Sequence, residues 1–290
     1  MIGCAGKHAK ISDLAFSQVQ PPDVPDAHTH IVPWAPIQYP PTIYNPGCEC
    51  SSSGSFIGQN LLFRGVYRGI ALGNITENTC FWFVGRTVLR DIYGTFFETG
   101  IELTALSDVA VVDHIHFWPV YFAAEGNENV FRYIQSNATG LALHRSDNPQ
   151  FSNLFINSMS CGLHFRSTHN ISGWDFVNNC QMTNVGLDGI VTGILVDEGV
   201  LSDCVISNIY HQSPGDFRAR GVNGSCVKVA NPSSGDCWYP AAKFMDIQGA
   251  FSGTMVNIKL ANYRGSAISL AGAQVTPPLY TPLKQFIHSD

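Results

Sequence analysis

Asn153-Leu154 is followed, nine residues after Asn153, by Gly162-Leu163-His164-Phe165, and the same pattern is written four times. The other copies are Asn60-Leu61 with Gly69-Ile70-Ala71-Leu72, Asp91-Ile92 with Gly100-Ile101-Glu102-Leu103, and Asn184-Val185 with Gly193-Ile194-Leu195-Val196. Two copy-to-copy spacings, Asn60 to Asp91 and Asn153 to Asn184, are both 31. Asn257-Ile258 with Gly265-Ser266-Ala267-Ile268 is a weaker copy, and Gly224-Ser225-Cys226-Val227-Lys228-Val229 is half of one. Self-similarity at a period of about 20 to 50 residues signals a solenoid, a propeller or an array.

The alternation inside each copy selects among these. In Gly100-Ile101-Glu102-Leu103, Ile101 and Leu103 point one way and Glu102 the other. The apolar residues are strand formers. The Asn or Asp that opens each copy suits a turn, because its side chain can bond the local backbone. The Gly permits a positive φ at a tight corner. Two strands and two corners per unit predict an all-β parallel β-helix, with Ile70, Leu72, Ile101, Leu103, Leu141, Leu163, Phe165, Ile194 and Val196 inside. No segment keeps a three-turn helical stripe, and 27 Gly and 16 Pro would interrupt one.

The repeats run from Asn60 to about Leu270 without a linker, so the 290 residues read as one domain. Long loops interrupt it at the Pro-rich stretch 18–55 and at 118–137, and a Pro-containing tail covers 275–290. Charged residues are 13% of the chain, net charge is −6, and no Lys/Arg run occurs, which argues against a nucleic-acid partner. No apolar run reaches about 18 residues, so no membrane span is expected. The N-terminus lacks the pattern of a signal peptide. Cys161, Cys180, Cys204 and Cys226 lie near strand-like segments and read as small buried hydrophobes.

Three groups of residues could carry chemistry. Asp26-Ala27-His28-Thr29-His30 resembles the first metal motif of the amidohydrolase family, where two His ligate a divalent metal. The Pro-rich lead-in and the lack of alternating helices and strands contradict that fold, so no metal or other cofactor is assigned. The second group is outward acids and histidines. Glu102 and His164 share one slot of the repeat, and Asp113, His114 and His116 lie on the next strand. Glycoside hydrolysis needs two carboxyls roughly 5 to 9.5 Å apart, within reach of neighbouring rungs, and Glu102 with Asp113 is the candidate catalytic pair. The third group is aromatic. His116-Phe117-Trp118-Pro119-Val120-Tyr121-Phe122 places Trp118 and Tyr121 as a sugar platform, with His114, His116 and His164 as further ligand contacts.

With these repeats and this aromatic stretch, the chain resembles the pectin-lyase-like right-handed parallel β-helix superfamily, most of all bacteriophage tailspike and depolymerase domains. The likeness covers about residues 9–270. It rests on rung pattern and on stretches such as Ser12-Asp13-Leu14, Val66-Tyr67-Arg68-Gly69-Ile70 and His116-Phe117-Trp118-Pro119. It implies a homotrimer on a virion or outside a cell. The implied ligand is a bacterial surface polysaccharide, and the implied activity, if there is one, is glycoside hydrolysis rather than elimination. The alternatives are a non-catalytic adhesion β-helix and, more distantly, the metal-dependent amidohydrolase.

Overall fold

A computed structural model describes residues 1–3, 8–22, 34–49, 54–75, 81–122, 128–166, 176–197, 200–214, 242–248, 251–261 and 266–270. His28, His30, the half copy at 224–229, Cys226 and the tail at 275–290 lie outside the described residues.

Apart from the short strands Cys48–Glu49 and Asn74–Ile75, which pair antiparallel with the start of Phe81–Leu103, the described strands pair in parallel, each with its equivalent one coil further on, so the chain winds as a parallel β-helix. Every coil has three faces rather than two. A first run, such as 55–59 or 87–90, meets a one-residue bend. A second run follows, such as 61–63 or 92–94, and after a wider corner comes the third, such as 70–72 or 101–103. Long strands such as Gly54–Leu72 and Phe81–Leu103 pass through all three faces.

The bend explains the opening residue of the repeat. Asp13, Asn60, Asp91, His114, Asn153, Asn184, Asn208 and Asn257 all have φ between 52° and 59°. Asn and Asp tolerate this left-handed region better than most residues. Their side chains bond to the next rung instead of their own backbone. Asn184 donates to Asn153 (3.2 Å), Asn208 to Asn184 (3.3 Å) and Asn257 to Asn208 (2.9 Å).

The recurring glycine has a different reason from a positive φ. Gly69, Gly100, Gly140, Gly162 and Gly193 stack at the head of the third face, and none is among the glycines with positive φ. A Cβ on Gly100 would lie 2.7 Å from Gly140 O, and one on Gly162 would lie 2.7 Å from Gly193 O. Close approach of successive rungs excludes a side chain here.

The interior is continuous and apolar. Ile70, Leu72, Ile101, Leu103, Leu141, Leu163, Phe165, Ile194 and Val196 are all buried in it, as their alternation predicts. Cys161, Cys180 and Cys204 are buried and free, and burial pushes the Cys161 thiol up to about 12, so they act as core filler.

The interruptions are partly structured. Ile43–Asn45, inside the Pro-rich stretch, is the third face of the first coil and pairs with 70–72. Trp34 is buried against Phe97 and Tyr133. The second insertion holds a 3₁₀ turn, Pro119–Tyr121, and a helix, Glu128–Asn137. That helix buries Val130 and Ile134, one turn apart, a stripe too short to stand out in the sequence.

Candidate functional site

The second face carries an outward column two residues past each bend. Register aligns Leu62, Tyr93, His116, Phe155, Gly186, Tyr210 and Lys259 along the coil axis. His116 lies flat on Phe155, with ring centroids 4.9 Å apart and planes at 16°. Tyr93 is 6.2 Å away on the upstream side. These rings form a floor.

Trp118 and Tyr121 stand on it as a wall. Their planes meet that of His116 at 78° and 83°, with centroids 5.8 and 5.6 Å away. Trp118 is held at both ends of its backbone. Its N–H donates to Gly94 O (3.0 Å), and its carbonyl accepts from the Thr95 hydroxyl (2.6 Å). Tyr121 Oη lies 2.6 Å from His116 Nδ1. Beneath the turn, Phe122 packs on Phe97 and fills the space over Gly65, where a Cβ would be 2.1 Å from its ring. Gly65 also has φ 61°, so that position needs glycine twice over. Trp118 is 39% exposed, and Tyr93, His116, Tyr121 and Phe155 are half-buried.

The electrostatics suit a neutral surface. Burial, and then the charge of His114, hold His116 below its ordinary value. Burial, and then Tyr93, raise the Tyr121 phenol. His114 sits at the rim, edge-on to Tyr93, with Nδ1 2.5 Å from Asp91 Oδ1.

His114, His116, Trp118 and Tyr121 therefore converge. His164 does not join them. It lies on the third face in register with Ala142 and Leu195, its Nε2 2.8 Å from Asp197 Oδ2 and its Nδ1 accepting from Arg166 Nε (3.1 Å). Burial and then Arg166 hold its pKa low, against the pull of Asp197.

The two acids are not brought together either. Glu102 is on the third face, in register with Ala71 and Ala142, whereas Asp113 is at the end of the first face, beside Arg90 and Ser152. Arg68 pairs with Glu102, and His144 Nε2 lies 3.3 Å from its other oxygen. Burial alone would raise this carboxyl, but the His144 contact and the Arg68 charge hold it at about 2. Asp113 accepts from Ser152 (2.7 Å) and Asn153 (2.9 Å) and lies 3.2 Å from Arg90. Those contacts, the Ser152 bond foremost, keep it below the ordinary carboxylate range. A general acid for glycoside cleavage needs a raised pKa and a partner across the bond. This pair has neither, and both side chains tie neighbouring rungs together.

Among the described residues no cluster of His, Cys, Asp and Glu fits a metal ion, and no helix is long and apolar enough to cross a membrane. Tyr93 and Phe155 escaped the sequence reading, although each lies two residues after a bend, as His116 does. No family model, curated protein or solved structure matches this chain.

Proposed function

We propose that the protein binds a polysaccharide on the second face of its coil, with Trp118 and Tyr121 against one side of the sugar and Tyr93, His116 and Phe155 beneath it. One observation carries the reading: solvent-facing rings set at right angles, as floor and wall. Such rings offer apolar surface to sugar C–H groups and polar edges to hydroxyls. Depressed pKa values and separate faces for Glu102 and Asp113 favour adhesion over hydrolysis. The bacterial surface as ligand source, the virion or extracellular setting and the homotrimer come from the tailspike resemblance and belong to the same proposal.

The test is a panel of capsular and O-antigen polysaccharides, immobilised and titrated with the protein, with new reducing ends and unsaturated uronates assayed in parallel. The expected result is binding to at least one polymer without cleavage. Trp118→Ala and Tyr121→Ala should each weaken it about tenfold, the loss of roughly 1.4 kcal/mol of contact. Wild-type protein that binds none of the panel, or Trp118→Ala and Tyr121→Ala variants that bind as tightly as wild type, would overturn the reading.

A further inference from the structure

The floor column changes character at Gly186. Its neighbours in register are Phe155 on one side and Tyr210 on the other, both large. A glycine inside a strand weakens it, and usually marks close approach of backbone or ligand. On the third face that reason is the next rung's carbonyl, 2.3 to 2.8 Å from each would-be Cβ. Gly186 has no such reason. Its φ is not in the left-handed region, and the nearest backbone atom to its Cβ position, Leu154 O, is 3.7 Å away. The crowded neighbour is the Phe155 ring, with Cδ2 at 3.2 Å and Cε2 at 3.9 Å. Phe155 thus leans down the column over Gly186, and His116 lies flat on Phe155.

We propose that Gly186 is a positioning residue of the polysaccharide site, and that the ligand is a linear glycan lying along the coil axis. By leaving its slot empty, Gly186 lets Phe155 lie down and joins it to His116 and Tyr93 as one floor. From Tyr93 to Gly186 the column spans three rung spacings, about 14 Å, enough for several consecutive sugars. The wall of Trp118 and Tyr121 stands beside only the upstream part of this floor, so the chain runs past it and onward over Phe155. This proposal rests on the glycan reading, and its test separates the two.

The variants are Gly186→Val, which places a branched side chain under the Phe155 ring, and Phe155→Leu, which removes the ring without adding a Cβ. The first readout needs no ligand. The His116 Cε1 proton should carry a ring-current shift from Phe155, and both variants should move it towards its unstacked value. The second readout is affinity for oligosaccharides of two to six sugars, prepared from the polymer that wild type binds. Wild-type affinity should rise with length to about four sugars, and both variants should lose about tenfold on the longer ones, a stacking contact's worth. An unmoved His116 signal in Gly186→Val overturns the placement. A moved signal with unchanged affinity overturns the role in binding. Length-independent affinity overturns the axial orientation. Wild type that binds no polymer overturns the glycan reading, while the His116 signal still judges the positioning on its own.

Discussion

Leu103 and Gly100 are three residues apart and fail for opposite reasons when replaced. Leu103 fills core with no exposure, so Leu103→Ala should cost about 2 to 5 kcal/mol by leaving a cavity. Gly100→Ala adds a methyl 2.6 Å from the Phe117 ring and 2.7 Å from Gly140 O, and overpacking should cost about 1 to 3 kcal/mol. Urea unfolding of both variants checks the figures. The inward leucine was legible because alternation marks it. The role of the glycine was not, because a sequence shows that glycine recurs without showing whether φ or a neighbouring rung demands it.

Two side chains with strongly lowered pKa values contribute to the acid limit of stability. His211 is fully buried, its ring nitrogen 3.1 Å from Ile190 O, and burial lowers its pKa to about 4. Below pH 6.5 the unfolded chain takes up a proton that the folded chain refuses. Stability present above that pH is therefore lost as pH falls towards 4, by up to about 3 kcal/mol. Glu102, held at about 2, adds a second and lower step. Its contribution is intact above its ordinary 4.5 and disappears as pH falls towards 2. Thermal midpoints measured from pH 8 to pH 3 should fall in both ranges. His211→Leu should shrink the upper step, leaving the smaller parts due to His116 and His164. Glu102→Gln should shrink the lower one, and should also lower the midpoint at neutral pH by leaving Arg68 with Glu98 as its remaining carboxylate. A midpoint that stays level between pH 6.5 and 4 in wild type would show that His211 titrates normally.

At the scale of elements, the bend column is the coil's recurring joint. Asn184→Ala loses bonds to Asn153 and Asn208 and forces alanine to φ 55°, a cost of about 1 to 2 kcal/mol. Asn184→Gly relieves the φ and should recover part of that loss. Equal destabilisation by both variants would assign the whole effect to the lost bonds. Bends at Asp13, His114 and Asn208 did not stand out in the sequence. In those coils an insertion enters the corner between the second and third faces, so the third strand begins only at Ile43, Thr139 and Lys243. The nine-residue offset survives only where that corner is short. Tyr93 and Phe155 follow the recognised openings Asp91 and Asn153, but their alignment with His116 shows only once the bend at His114 is known. His116-Phe117-Trp118 was legible because its aromatic residues are adjacent in the chain.

At the scale of the whole molecule, the coil sorts its outward chemistry by face. The end of the first face holds hydrogen-bonded polar groups such as Asp113 and Ser152, and the third holds the Arg68–Glu102 ion pair and the His164–Asp197 hydrogen bond. The second face holds the stacked rings. The acids read from sequence as machinery lie on different faces and bond to neighbouring rungs, Glu102 to Arg68 and Asp113 to Ser152 and Asn153. Whether the working surface is the aromatic face is decided most directly by amide hydrogen exchange on the full chain, with and without a polysaccharide that it binds. A glycan bound on the second face should slow exchange only in peptides around Tyr93, His116–Tyr121, Phe155 and Gly186. Slowing centred on Glu102, His144 and His164, with the aromatic peptides unchanged, would contradict binding there.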